Sequence, residues 1–241
     1  MTTINMKNKR ILLVRHAESE GNINHNIYSD TPDYAIKLTK RGTEQAQKAG
    51  KILSKIDGEF DFFVSTHHRT RQTFFNISKT LKNKVIRKKE TPLIREQEWT
   101  NSVGTHSNMD LERERLKWGV FHYRFPGGES CADVYERAEL FNLTELINRL
   151  NEKDCPPNIG IVSHGMFIRV HLMSLLNLSV EEFELIRNPK NCEIIELEFD
   201  IENQKFSLKS PLAYYDGPRH SFQYQEDRIS IIEAADKEEF E

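Results

Sequence analysis

The feature that most constrains this chain is a set of four short apolar runs separated by more polar sequence. They lie at residues 11–14, 62–64, 159–162 and 194–197. Runs this short read as buried strands, and the segments after the first three switch to a helical period. Residues 41–56 carry Ala46, Ala49, Ile52, Leu53 and Ile56 at helical spacing, with Thr39 just ahead as a cap. Residues 69–81 follow the second run and residues 166–176 the third. A longer amphipathic pattern fills 131–150 and stops before Pro156 and Pro157. Strand–helix alternation predicts an α/β fold, a three-layer α/β/α sandwich with a mostly parallel central sheet. Residues 96–129 are less regular, hold Gly104, Gly119, Pro126, Gly127 and Gly128, and are expected to form an insertion folded over the sheet. The expected organisation is one domain over residues 1–225 and an acidic C-terminal tail, 226–241, with seven acidic and two basic residues.

With 241 residues, 37% of them hydrophobic, the chain can bury a sizeable core. Its 34 Lys and Arg nearly balance 37 Asp and Glu, so no strong global field draws nucleic acid or an anionic membrane. No stretch is long and apolar enough for a signal peptide or a membrane span. Three cysteines, Cys131, Cys155 and Cys192, are odd in number and lack metal-ligand spacing. A cytoplasmic protein is therefore expected rather than a disulfide-stapled secreted one. Five basic residues within 82–89 read as a solvated surface, because no aromatic residues are interleaved to stack on bases. The sequence leaves the oligomeric state open.

In open α/β sheets, ligands collect where strands end and helices begin. The first run leads straight into Arg15 and His16, the second into Ser65, His67, His68, Arg69 and Arg71, and the third into Ser163, His164 and Gly165. Two histidines and at least two arginines would converge beside helix N-termini, whose free N–H groups favour an anion. That composition suits a phosphate better than a carboxylate or a metal. Two unit charges about 4 Å apart in an effective dielectric of about 20 interact by about 4 kcal/mol. A surface salt bridge is worth only about 0–1 kcal/mol. A partly dehydrated Arg–Arg–His clamp is thus strong enough to matter, and the planar Arg fork suits phosphate oxygens. A neutral imidazole in such a clamp can attack phosphorus, splitting hydrolysis into two easier steps. The leaving oxygen then needs a proton, most simply from a carboxylic acid.

These residues carry a family resemblance. The run Arg15-His16-Ala17-Glu18-Ser19-Glu20-Gly21-Asn22 resembles the Arg-His-Gly-x-x-x-x-Asn signature of the histidine phosphatase superfamily, the phosphoglycerate-mutase-like fold. Ser65 to Thr73 is similar to its second motif, Ser-x-x-x-Arg-x-x-x-Thr. Ile94-Arg95-Glu96-Gln97-Glu98-Trp99 resembles the segment that supplies the proton donor. Pro126-Gly127-Gly128-Glu129-Ser130 is similar to a common helix entry of the family, and Val162-Ser163-His164-Gly165 to its second-histidine motif. The motifs keep their order over residues 10–200.

The resemblance implies that His16 is the nucleophile that becomes phosphorylated. It implies that Arg15, Arg69 and His164 hold the phosphoryl oxygens, with Asn22 and Gly165 at the pocket. Glu96 is then the acid, and later activates water. No metal or organic cofactor is needed. The implied activity is hydrolysis of a small phosphorylated substrate, closest to the mutase-like phosphatase branch. A phosphoglycerate-mutase-type transferase and a non-catalytic phospho-ligand binder are the alternatives. The sequence departs from the family at Ala17, where glycine is usual, at Thr66, where proline is common, and at Thr100, where glycine is common.

Other residues have plainer readings. His67 and His68 tempt a metal assignment, but adjacent residues rarely converge on one ion and no His-Glu-x-x-His pattern exists. Arg71 is read as structural and His171 as packed. Trp99 and Trp118 are expected in the core. Tyr28, His106, His122, Tyr123 and Arg124 fit the substrate mouth and structural packing about equally well. If His16 attacks neutral and Glu96 acts protonated, the rate should be bell-shaped with pH.

Overall fold

A computed structural model describes residues 8–99 and 108–215. Among them, six strands form one sheet. They are β1 (Lys9–Arg15), β2 (Phe60–Ser65), β3 (Val85–Thr91), β4 (Asn158–Ser163), β5 (Ile194–Asp200) and β6 (Lys205–Leu208), in the spatial order β3-β2-β4-β1-β5-β6. The helices in chain order are α1 (Glu20–Ile23), α2 (Lys40–Leu53), α3 (His68–Leu81), α4 (Asn108–Trp118), α5 (Cys131–Phe141), α6 (Ile147–Asn151), α7 (Gly165–Leu176) and α8 (Val180–Leu185). The first four strands run parallel, while β5 lies antiparallel to β1 and β6 to β5. The mostly parallel sheet expected from the strand–helix alternation is present.

Its two faces follow from the period-two alternation of strand side chains. Ile11 and Leu13 of β1 pack with Val134, Ala138 and Phe141 of α5 and Phe167 and Val170 of α7. Leu12 and Val14 turn the other way, onto Ala49 and Leu53 of α2 and Phe74 and Ile77 of α3. Thr39 caps α2 as its position suggests, its hydroxyl accepting from the Gly42 N–H at 2.9 Å. The helix expected over 131–150 begins at a capping box between Ser130 and Asp133 and is interrupted by a π turn, Asn142–Leu146. That turn carries buried Asn142, whose Oδ1 lies 2.7 Å from Nε2 of His171, the packed histidine of α7.

One expectation needs correction, and two strands carry no signal in the sequence. The basic run 82–89 is indeed exposed, but it hides β3, the outermost strand, where Arg87, Lys88 and Lys89 pair with Glu152, Glu90 and Glu145. A strand with most of its side chains in water shows no apolar run. The four-residue β6 escaped for the same reason. The tryptophans are not core: Trp99 is 39% exposed and Trp118 59% exposed. Trp99 lies on Phe125 with ring centres 4.7 Å apart, beneath the Arg115 guanidinium. Within the irregular stretch 96–129, α4 occupies the middle. Thr100, Gly104, His106 and the acidic tail 226–241 lie outside the described residues. No helix among the described residues is long and apolar enough to cross a membrane.

Register decides where the chemistry falls. Arg15 pairs with Ser163, and Val14 and Val64 both pair with Val162. The neighbouring strands β2, β4 and β1 therefore end level at one edge of the sheet. The residues that follow each of them must meet there.

Candidate active site

Three histidines come together at that edge. The His16 N–H continues the ladder by donating to Ser163 O at 2.8 Å, and its ring is buried. The His16 ring centre lies 5.3 Å from that of His164, which in turn lies 4.7 Å from that of His67. His16 Nδ1 lies 2.8 Å from the Ala17 carbonyl, which only accepts, so Nδ1 carries the proton and Nε2 keeps its lone pair. Burial, reinforced by Arg69 and Arg15, holds the His16 pKa well below the usual imidazole value. The ring is neutral at pH 7.

Ala17 fits where the family has glycine. It is fully buried, it is absent from the residues with positive φ, and its N–H donates to Thr73 Oγ1 at 3.0 Å. The methyl group joins the core, with an ordinary backbone.

Arg69 lies in the first turn of α3 and is buried. Its guanidinium grips Asp33 at the backbone carbonyl, 2.8 Å away, and at both carboxylate oxygens. His67, at the N-cap of α3, has Nδ1 3.3 Å from Asp33 Oδ2. Arg15 Nη1 donates to Pro189 O at 2.6 Å. His164 Nε2 pairs with Ser65 Oγ at 2.8 Å, while its Nδ1 is buried without a partner among the described residues. Gly165 opens α7 directly against this cluster, and a Cβ there would lie 3.4 Å from Arg15 Nε.

Glu96 arrives from the turn after β3. Its Oε1 accepts from the N–H groups of Gln97, at 3.0 Å, and Phe167, at 3.1 Å, and its Oε2 accepts from Met166 N–H at 3.4 Å. Two of these donors form the open N-terminus of α7. Burial nevertheless pushes the Glu96 carboxyl above its ordinary value, against the opposing pull of Arg69, these hydrogen bonds and Arg15.

Asn22 is exposed, and its Oδ1 accepts from the Ser19 N–H at 2.9 Å and lies 3.3 Å from Asn191 Nδ2. The contacts it makes are those of a cap on α1. Arg71 turns away, to Glu90, as its spacing suggested. Tyr123 and Arg124 are engaged in packing contacts with Glu114 and Asp133. Asp33 is a neighbour of the cluster that the sequence did not single out; Ser65 and His67, already placed at the end of the second run, lie in it as well. The signal for His67 was its place just before an arginine-bearing helix, where an N-cap side chain turns back toward the strand end. Tyr28 also reaches the site: Gly21 leaves room for it, since a Cβ there would meet the Tyr28 hydroxyl at 2.3 Å.

The cluster thus offers two guanidiniums, neutral imidazoles and a carboxyl of raised pKa around one strand edge. Among the described residues, no group of three or more His, Cys, Asp or Glu is arranged to hold a metal ion.

Comparison with known proteins bears on what such a cluster is. The chain is 41% identical over 201 residues to the phosphoglycerate mutase-like protein AT74 of Arabidopsis thaliana, a match covering 77% of this chain and 63% of that protein. The chain thus spans less than two thirds of that relative's length. It is 24% identical over 302 residues to the broad-range acid phosphatase DET1 of Saccharomyces cerevisiae, covering 86% of this chain and 90% of that one. Among solved structures, mycobacterial glucosyl-3-phosphoglycerate phosphatase shares the fold, with a TM-score of 0.67 at 21% identity over 86% of this chain and 100% of that one. The sequence model of the histidine phosphatase superfamily (branch 1) matches residues 11–210, from β1 to just past β6. That span takes in nearly all of the sheet and every residue of the cluster, and the chain belongs to this superfamily.

Proposed function

We propose that the chain hydrolyses phosphomonoesters of a small phosphorylated substrate through a phosphohistidine on His16. The observation that carries this reading is the tautomer of His16. With Nδ1–H held on the Ala17 carbonyl, Nε2 presents its lone pair from a neutral ring beside two guanidiniums. Arg15, Arg69 and His164 bind the phosphoryl oxygens and offset their charge, with Gly165 giving them room and Asn22 at the rim. As the Nε2–P bond forms and the P–O bond breaks, the Glu96 carboxyl gives its proton to the leaving oxygen. Water then attacks phosphorus and the resulting Glu96 carboxylate takes its proton. Phosphate leaves, and His16 returns neutral.

The acid-phosphatase relative supports hydrolysis as the outcome. The free cysteines Cys131, Cys155 and Cys192 support a reducing, cytoplasmic setting. The domain is read as running to about residue 225, with the acidic tail beyond it.

The test is phosphate release from an aryl phosphate in excess chelator, for the wild type and His16→Ala. Release that survives chelation, vanishes in the variant and leaves an acid-labile phosphoryl group on the trapped wild type is the expected result. Release that persists in His16→Ala overturns the assignment. Turnover that appears only with bisphosphoglycerate as primer identifies a transferase instead.

A further inference from the structure

Glu96 follows a 3₁₀ turn, Pro92–Ile94, and residues 95–99 belong to no strand and no helix, so no ladder fixes the backbone that carries it. Its polar groups are instead held by side chains from elsewhere. Ser163 Oγ donates to Ile94 O at 2.7 Å. Arg137, in the middle of α5, donates through Nη1 to Leu93 O at 2.7 Å and Arg95 O at 3.3 Å, and through Nη2 to Glu96 O at 3.4 Å. Glu129 completes the frame. Its Oε2 accepts from the Glu98 N–H at 2.9 Å, its N–H donates to Glu98 O at 2.8 Å, and its carbonyl accepts from Gln97 Nε2 at 2.8 Å. Gly128 is required for that approach, since a Cβ there would lie 2.3 Å from Glu98 O.

Arg137 and Glu129 also lock each other, with Nε on Oε1 and Nη2 on Oε2, both at 2.8 Å, and side chains only 12% and 11% exposed. A guanidinium can span a carboxylate and several carbonyls with three separate nitrogens; an ammonium carries its donors on one nitrogen and cannot reach acceptors spread this widely. We propose that Arg137 and Glu129 are positioning residues for proton donation by Glu96, a role that rests on Glu96 being the acid of the proposed hydrolysis. They touch neither substrate nor phosphorus. They set the height at which the carboxyl stands over the N-terminus of α7, and a displacement of about 1 Å costs about 100-fold where a reacting group must be aligned.

Leaving groups separate this role from a merely structural one. A nitrophenolate departs without help, whereas a phenolate needs the proton. We would measure kcat/KM, which reports the step that breaks the P–O bond, on p-nitrophenyl phosphate and phenyl phosphate for the wild type, Arg137→Lys, Glu129→Gln and Glu96→Gln. Arg137→Lys and Glu129→Gln should each lose about tenfold or more on phenyl phosphate and far less on p-nitrophenyl phosphate, in the same direction as Glu96→Gln. Equal losses on both esters, with Glu96→Gln still selective, would overturn the positioning role while leaving Glu96 as the acid. Loss of selectivity in Glu96→Gln itself would remove the acid assignment and this proposal together. A wild type inactive on both esters would remove the hydrolase reading. Glu129→Gln keeps the shape of the frame, so the comparison stands even where Arg137→Lys does not fold.

Discussion

The carboxylate of Asp33 straddles the guanidinium of Arg69, with Oδ1 2.8 Å from Nη1 and Oδ2 3.1 Å from Nη2. The clamp assigned to phosphate is thus already occupied, on one side, by an anion of the protein itself. Asp33 Oδ2 also lies 3.3 Å from His67 Nδ1, so Asp33 links two of the residues at the strand edge to the loop that precedes α2.

Replacing this carboxylate removes a like charge from beside the incoming phosphate and releases part of the Arg69 fork. Asp33→Asn should tighten inorganic phosphate about tenfold, equivalent to about 1.4 kcal/mol, and lower KM in step. Product inhibition by phosphate is the measurement. Weaker phosphate binding in the variant would show that Asp33 aligns Arg69 rather than competes for it.

The pH profile follows from two opposite displacements. With ordinary values, a neutral histidine needs pH above about 6.5 and a protonated glutamate needs pH below about 4.3, so only about one molecule in a hundred would hold both states. Here burial and the arginines lower His16 and burial raises Glu96. Both displacements act to bring the proposed working forms, neutral His16 and protonated Glu96, into the same pH range. The rising limb of kcat/KM should fall below the usual imidazole range and the falling limb above the usual carboxylate range, after correction for the substrate's own ionisation near pH ~6. Glu96→Gln should abolish the falling limb, and a variant that retained it would show that another group supplies the proton.

Ala17→Gly tests the departure at the first motif. The residue has an ordinary φ and a fully buried methyl group. Glycine would loosen the unfolded chain, at a cost of about 0.4–1 kcal/mol, and remove a buried methyl worth about 0.8 kcal/mol. The urea midpoint should fall accordingly, with no rise in kcat/KM. A faster variant would mean that the methyl group crowds the phosphate.

The parts of this molecule that were readable in its sequence are those whose signals are local. The apolar runs that became β1, β2 and β4 announce strands because both faces of the sheet are covered there, while in β5 buried residues alternate with half-buried ones. His16, Arg69 and His164 stand out because each follows such a run within a few residues. Asp33 does not, because its place beside Arg69 depends on two short 3₁₀ turns, His25–Ser29 and Asp33–Ala35, with no periodic pattern. His67 is one of two adjacent histidines in the sequence, and only the fold shows which of them stands at the N-cap of α3 beside His164. Arg137 looks in sequence like any polar residue on an amphipathic helix. Only the fold shows that it faces an unladdered segment instead of water.

The lysines and arginine of β3 bear on how the molecule meets its own copies. An outermost strand offers unpaired backbone groups to any other strand that approaches. A second β3 laid against this one would bring Arg87, Lys88 and Lys89 up to the same cations, and like charges opposite each other are destabilising. The neighbouring glutamates that pair with these cations offset part of their charge within one molecule and leave the rim of the sheet polar. This rim thereby guards the β3 edge of the sheet against pairing with another strand.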